Sequence, residues 1–295
     1  MTSGHLAIAA WLASAWVVGG AASLQPVATG CADPGAVLEV VAGSARDASA
    51  LMLARCTRLD IEAGRWRAAD TRLAASRRAA ALLAGPARAA WLGEVARLEA
   101  LRRVDAADWP ALVQLRLPDE EGLAWLGPLV RGVAAARTSW ARQDGALQAR
   151  ARAELRQLEA LARQSGPVSE AERARLVVQG AMAGAQYERD EMQMLLDAAH
   201  DLEQRLYTPD DPRTPVLLAW EVEADLLRIT DRYAAASDRY RDLLVEWPRR
   251  VQARVGLAAA YRRLGYTAQA DETLAQARAL WAEADPEAQA LVKAP

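Results

Sequence analysis

The chain contains 295 residues, 52% of them hydrophobic, and its 36 lysine and arginine residues nearly balance 38 acidic residues, for a formal net charge of −2. Helix-forming residues are abundant and no run of alternating β-branched residues occurs, which argues against a sheet-based fold. Length and composition therefore predict an all-α protein that can bury one large core or two smaller ones.

Charge is spread unevenly along the chain. Residues 46–103 hold twelve arginines against six acidic residues, whereas residues 188–242 hold fourteen acidic residues against seven arginines. A basic first half could attract an acidic partner or an anionic lipid, although a solvated helix surface with local ion pairs is the plainer explanation. No aromatic residues are interleaved with these arginines at a spacing suited to base stacking, so we do not expect nucleic acid as a partner.

The first element is an uncharged stretch of 19 residues from Leu6 to Leu24. Its length would permit a membrane span, but seven alanines and four glycine or serine residues weaken insertion and favour a signal-peptide core. No lysine or arginine precedes it, so an anchor with a cytoplasmic body and a buried first helix stay open. Residues 1–30 are predicted to be a signal peptide or membrane anchor. This prediction favours a location in the cell envelope, either periplasmic or membrane-anchored, over the cytoplasm.

Cys31 and Cys56 are the two cysteines of the chain. In an oxidising compartment they could form a disulfide that stabilises the fold by about 3 kcal/mol. Residues 28–31 also resemble the lipobox of bacterial lipoproteins, which implies lipidation of Cys31, although Ala28 stands where such sequences prefer a larger aliphatic residue. With no histidine near either cysteine, a zinc site is not expected.

Residues 31–104 are predicted to form two helical hairpins. In the first, an apolar helix over 51–61 turns at Gly64 into a return helix over 66–83. A helix over 87–103 with one apolar stripe follows.

Residues 105–128 depart from this pattern. Prolines limit helix length, and an acidic turn at 119–122 separates apolar segments that contain Trp109 and Trp125. An irregular apolar insert often lines a binding surface, so we expect both tryptophans to contact a partner. A degraded repeat whose tryptophans fill the core is the alternative.

Long helices are predicted over residues 129–207, with a break near Asp144 and Gly145. Ser169 and Glu172 have the spacing of a capping box, which opens the second of these helical stretches. The end of this region, residues 207–214, is rich in proline and aspartate and is predicted to be a linker. At the C-terminus, residues 285–295 are expected to form a tail.

Two stretches within residues 215–284 superimpose when one is shifted by 34 residues. The first contains Trp220, Ala224, Leu227, Tyr233, Ala236, Tyr240, Leu244 and Pro248, and the second contains Arg254, Ala258, Tyr261, Thr267, Ala270, Leu274, Arg278 and Ala282. Positions that hold small residues in the first stretch also hold small residues in the second. Short turns at 230–232 and 264–266 divide each stretch into two apolar runs. Each unit is therefore predicted to be a helix, a turn and a second helix.

This spacing resembles the tetratricopeptide repeat, with a weaker copy in the turn and second helix that contain Gly64, Trp66, Ala69 and Leu73. The resemblance implies a right-handed α-solenoid of helical hairpins, preceded here by an N-terminal apolar segment, with a concave groove for a peptide or helix of another protein. Arg254 and Ala282 depart from the repeat's Trp and Pro positions, so the second unit is interpreted as a terminal cap.

The remaining candidate partner-binding residues lie on the predicted inner faces of the two units. They are Glu221, Asp225, Arg228, Val255, Arg262 and Arg263. A clamp for C-terminal carboxylates, known in this repeat family, is not expected here because Glu221 and Asp225 would repel a carboxylate. The groove is expected to suit an amphipathic or mixed-charge partner helix.

Sequence motifs for catalysis are not found. His200 is the one histidine outside the leader, and the acidic residues on its helix turn would supply too few ligands for a metal. No glycine-rich phosphate loop occurs. We therefore expect no catalytic residue, no metal and no cofactor.

Taken together, the residues predict a non-enzymatic adaptor or scaffold of the tetratricopeptide type that acts in assembly of a bacterial envelope or membrane complex. Two alternatives remain: a membrane-tethered cytoplasmic regulator, and a helical domain associated with a peptidoglycan-acting enzyme.

Overall fold

Helices form all of the regular secondary structure in the described part of the computed structural model, which covers Cys31 and residues 46–117, 123–207 and 215–293. In chain order they are α1 Arg46–Glu62, α2 Trp66–Ala80, α3 Gly85–Asp105, α4 Trp109–Leu112, α5 Leu126–Arg142, α6 Gly145–Ser165, α7 Glu170–Ala185, α8 Arg189–Leu206, α9 Ala219–Ile229, α10 Tyr233–Glu246, α11 Val251–Arg263, α12 Thr267–Leu280 and α13 Pro286–Lys293. The all-α prediction is confirmed.

The helices pack in neighbouring pairs: α1 with α2, α3 with α4, and so on to α11 with α12. The first helix of each pair also contacts the first helix of the next pair, and each second helix contacts the first helix that follows it. Every pair therefore buries its apolar face against its sequence neighbours, since no single pair could bury that face alone.

The same turn joins the two helices of each pair. Its central residue has a positive φ in all six described cases: Gly64 (70°), Ala107 (54°), Gln143 (51°), Tyr187 (64°), Asp231 (61°) and Gly265 (82°). In five of these turns the next amide donates to the carbonyl oxygen five residues earlier, as Arg232 does to Leu227 at 2.8 Å and Tyr266 to Tyr261 at 2.9 Å. This bond caps the orphan carbonyls at the C-terminus of the first helix.

Two other helices begin at polar residues where the sequence predicted a break or a cap. The carboxylate of Asp144 accepts from the amide of Ala146 at 2.8 Å and begins α6. The hydroxyl of Ser169 accepts from the amide of Glu172 at 3.2 Å and begins α7. The predicted breaks between these helices are confirmed, because both caps satisfy amides that have no partner inside the helix.

Gly256 on α11 allows a close approach to α10. A Cβ atom at this position would lie 2.3 Å from Cζ and 2.4 Å from the hydroxyl oxygen of Tyr240. Tyr240 is fully buried and its hydroxyl donates to Asp225, so a shift of the ring away from an added Cβ would disturb this hydrogen bond. Glycine is thus required by packing at a helical position where φ is ordinary.

Replacing Gly256 with alanine should lower the free energy of unfolding by about 1–3 kcal/mol, because overpacking outweighs the gain of about 1 kcal/mol in helix propensity. Gly145→Ala is the matched control, since no heavy atom lies within 4 Å of its added Cβ. Urea denaturation followed by circular dichroism measures both variants. A Gly256→Ala protein as stable as the Gly145→Ala protein would contradict the packing of Tyr240 against α11.

The C-terminal residues pack against the first turn of the array. The sequence predicted a tail over residues 285–295, but residues 286–293 form α13, and its Ala288 and Val292 are buried. The indole Nε1 of Trp281 donates to the carbonyl oxygen of Glu62 at 2.9 Å, and the amide of Asp285 donates to that of Gly64 at 3.0 Å. The first helical pair and the C-terminal end of the described array, including α13, therefore meet.

Candidate partner-binding site

Two adjacent cavities are lined mainly by the first helices of the pairs. The inner cavity, of about 200 Å³, is lined by α3, α5, α9, α11 and α13, with Val104, Val133, Glu221, Val222, Val255 and Leu291 among its residues. The outer cavity, of about 710 Å³, is lined by α4, α5, α9, α10 and α11, with Arg142, Asp231, Tyr233, Arg262 and Arg263 among its residues. Trp109, Arg137, Arg228 and Ala259 line both cavities, which therefore adjoin each other.

Glu221, a predicted partner contact, is already paired inside the protein. Arg250 donates from Nε to Oε1 at 2.9 Å and from Nη2 to Oε2 at 2.9 Å. The side chain of Glu221 is only 10% exposed. A planar, two-point ion pair at this degree of burial holds both groups in place, so Glu221 positions Arg250 and does not present a free carboxylate to a ligand.

Asp225, another predicted contact, lies between two guanidinium groups. Arg137 of α5 donates to it at 2.6 Å and Arg228 at 3.4 Å, and the hydroxyl of Tyr240 donates as well. Burial alone would raise the pKa of Asp225, but Arg137 and Arg228 lower it below its ordinary value. Its carboxylate is therefore ionised and neutralised by the protein, and the repulsion of an acidic ligand expected from the sequence is largely cancelled.

Arginines of the outer cavity lie against aromatic rings. The guanidinium of Arg137 lies 4.6 Å from the ring centroid of Trp109, and that of Arg263 lies 5.0 Å from that of Tyr233. Such stacking orients the guanidinium plane while leaving its N–H groups available at the edge.

Seven of the eight predicted partner-binding residues line these cavities. Trp109 and Arg228 line both, Arg262 and Arg263 line the outer cavity, and Val255 lines the inner cavity with Glu221 and Asp225. Trp125 lies elsewhere: it is 6% exposed, belongs to the main hydrophobic core, and lies 5.8 Å below the guanidinium of Arg173. At this position the alternative of a core-filling tryptophan holds.

Sequence reasoning missed Arg137, Arg142 and Arg250. Arg137 meets Asp225 across 88 residues, and Arg250 meets Glu221 across 29. Neither separation matches the 34-residue repeat. The position of Arg142 at the end of a predicted long helix was a usable signal, since the last turns of α9 and α11 also carry cavity arginines.

Asp105, at the end of α3, connects the inner cavity to the first pair. Its carboxylate accepts from Nε1 of Trp66 at 3.3 Å and lies 3.4 Å from Nη1 of Arg250. Burial raises the pKa of Asp105 from 3.8 to about 6, against the lowering effect of Arg250, and the nearby Glu221 raises it further. The folded protein therefore keeps a proton that the unfolded chain releases at lower pH.

This stabilisation by Asp105 is fully present below about pH 4 and is lost as the pH rises to about 6, a change on the order of 3 kcal/mol. Asparagine does not titrate, so Asp105→Asn should flatten this part of the pH dependence. Urea denaturation of both proteins at several pH values between these limits provides the test. A slope in the variant equal to that of the wild type would show that Asp105 does not carry the effect.

The other candidate sites have separate outcomes. Cys31 and Cys56 are both disulfide-bonded, and neither is a free thiol. His200 stacks on the ring of Trp220 at 3.5 Å between centroids, and its Nε2 lies 3.3 Å from Glu246. Across the described ranges, no cluster of three histidine, cysteine or acidic side chains is arranged to hold a metal ion.

The predicted leader, residues 1–30, lies outside the described residues, as does most of the linker predicted over 207–214. Of the helices in the ranges that the structure covers, none combines the length and the apolar character that a bilayer crossing needs.

No protein-family model, no curated protein and no solved structure matches this chain.

Proposed function

We propose that this chain is a non-enzymatic adaptor of the tetratricopeptide type, in which a right-handed solenoid of helical hairpins holds a segment of another protein. The two adjoining cavities carry this proposal, because the first helices α3, α5, α9 and α11 converge on them and supply both apolar walls and charged edges. The positive-φ turns at Asp231 and Gly265 support it too, since they are separated by the same 34 residues as the sequence repeat.

The contact between the first helical pair and α13 limits where a partner can bind. Leu291 of α13 and Arg250, which pairs with Asp105, border the inner cavity, whereas the outer cavity is larger and lies beside the turn that contains Asp231. We therefore place the partner in the outer cavity, with its apolar side chains over Trp109 and Tyr233.

The proposal also includes a location. The apolar stretch from Leu6 to Leu24 would direct the chain to the bacterial cell envelope, where the adaptor would assist assembly of an envelope or membrane complex. Disulfide-bonded cysteines are consistent with an oxidising compartment of this kind.

Reversing two charges at the rim should weaken partner capture without unfolding the protein. In affinity capture from the source cells, Arg262→Glu with Arg263→Glu should retain at most about a tenth of the partner that the wild type retains, because rim charges change from attractive to repulsive. Arg152→Glu with Arg156→Glu is the matched control, since both residues are exposed on α6 and line neither cavity. Equal capture by both double variants would exclude the outer cavity as the docking site.

A further inference from the structure

The outer cavity has a strong excess of positive charge. Among the described residues that line it, five are arginines, namely Arg137, Arg142, Arg228, Arg262 and Arg263, and one, Asp231, is acidic. Arg142 ends α5, Arg228 lies in the last turn of α9, and Arg262 and Arg263 end α11. Three separate helices therefore deliver guanidinium groups to one opening.

Internal partners account for only part of this charge. Arg137 and Arg228 share the carboxylate of Asp225, and Arg262 lies 3.2 Å from the exposed Asp271. Neither Arg142 nor Arg263 forms an ion pair with any residue in the described ranges. At least two cationic groups of the cavity thus have no counter-charge among those residues.

One donor of the cavity is also buried without an acceptor. Nη1 of Arg262 has no hydrogen-bond partner among the described residues, although solvent hardly reaches the atom. A charged N–H group in such a position is costly unless an anion or a carbonyl oxygen accepts from it. Because the side chain of Arg262 is 27% exposed, a rotation of its guanidinium towards a ligand oxygen in the cavity would satisfy this donor.

The negative end of the dipole at a helix C-terminus attracts cations, which explains why arginine is favourable at each of these positions considered by itself. It does not explain why they converge on one cavity, where the nearby acidic groups already have hydrogen-bond partners. Asp225 is held by Arg137, Arg228 and Tyr240, and Asp231 accepts from the hydroxyl of Tyr233. With both carboxylates occupied, the remaining guanidinium groups form a surface that complements an acidic ligand.

We propose that the outer cavity binds an acidic segment of the partner protein, whose side-chain carboxylates pair with Arg142, Arg262 and Arg263. This inference rests on the function proposed above and specifies the chemistry of the partner. The cavity volume of about 710 Å³ accommodates several side chains, and Trp109, Trp140 and Tyr233 supply rings for the apolar residues between the carboxylates.

An extended polyanion fits this site less well than a short acidic segment. The chain has a net charge of −2, so its overall charge gives no long-range attraction for an extended polyanion such as a nucleic acid or an anionic bilayer. A short segment needs only the arginines that line the outer cavity.

The test uses the full chain and three ten-residue peptides with acetylated N-termini and amidated C-termini. All three have glycine or leucine at every other position. They differ in the residue at the positions between, which is glutamate in one, glutamine in the second and lysine in the third. Fluorescence anisotropy at low salt should give binding of the glutamate peptide at least about tenfold tighter than that of the glutamine peptide, with no detectable binding of the lysine peptide. Affinity should fall as salt rises. Arg262→Glu with Arg263→Glu should abolish the preference, whereas the Arg152→Glu, Arg156→Glu control should keep it.

Equal affinity for the glutamate and glutamine peptides, no binding of any peptide, or a preference that survives in the Arg262→Glu, Arg263→Glu protein would each overturn the acidic assignment. Partner capture reports on the proposed function separately. If that double variant loses the partner while the peptides show no preference, the cavity docks a protein that is not acidic, and the adaptor function stands. A single-stranded oligonucleotide or an anionic vesicle that binds more tightly than the glutamate peptide would also overturn the inference.

Discussion

Replacing Arg173 with methionine should lower the free energy of unfolding by about 3–5 kcal/mol, the usual cost of removing one partner from a buried ion-pair network. Arg173 of α7 is 0% exposed, pairs with Glu170 and Glu203 at 2.9 Å each, and donates to the carbonyl oxygen of Leu217 at 3.0 Å. Glu203 in turn accepts from the amide of Ala219, the first residue of α9.

The effect should be large because the substitution removes the arginine partner of the buried Glu203, leaves Glu170 with Arg97 at 3.6 Å, and frees the segment that leads into α9. Arg241→Met serves as the control: its ion pair with Asp238 is exposed on both sides, so its loss should change the free energy of unfolding by less than about 1 kcal/mol. Urea titrations of the two variants compare them directly. Similar stabilities would mean that Arg173 does not connect α7, α8 and α9.

Replacing Trp281 with alanine should cost about 3–5 kcal/mol and should open the contact between the two ends of the array. The ring of Trp281 is 2% exposed and meets that of Trp66 edge-on, with 5.8 Å between centroids and 83° between planes. Ala284, Ala288 and Val292 pack in the same cluster, so the cavity left by the indole would separate α13 from the first pair.

Hydrogen exchange distinguishes this result from simple loss of the last helices. The amide of Arg67 donates to the carboxylate of Asp285 at 2.7 Å, so exchange at the start of α2 should accelerate in Trp281→Ala along with exchange in α13. Trp247→Ala, at a half-buried position outside this cluster, should leave exchange in α2 unchanged. Acceleration confined to α13 would show that the ends of the array are not energetically coupled.

Local chemistry made most of the helix boundaries predictable. Gly64 and Gly265 adopt positive φ without the steric cost that other residues have, and Asp144 and Ser169 are helix caps of the usual type. The repeat spacing predicted the turn that contains Asp231, and the break near Asp144 lies next to the turn at Gln143. The turns at Ala107 and Tyr187 were not predicted, because neither residue type favours a positive φ. The surrounding fold holds them: the ring of Tyr187, for example, packs edge-on against Trp140 at 4.4 Å.

Repeat spacing located much of the candidate site but not its electrostatics. The 34-residue repeat predicted that Arg228, Arg262 and Arg263 lie on one surface, and the structure brings them together. The same spacing gave no indication of Arg137, whose ion pair with Asp225 joins residues 88 positions apart. This ion pair neutralises Asp225, so the carboxylate no longer repels an acidic ligand. Contacts between distant residues, including that of Trp281 with Glu62, leave no periodic trace in the sequence.

Photo-crosslinking in the source cells tests most directly whether the outer cavity docks another protein. The photoreactive amino acid p-benzoylphenylalanine replaces Tyr233, which lines that cavity, or Tyr266, which is 51% exposed and lines neither cavity. We expect one discrete adduct with another protein from position 233, lost in the Arg262→Glu, Arg263→Glu background, and no such adduct from position 266. The same adduct from both positions, or none from position 233, would contradict the assignment of this protein as an adaptor.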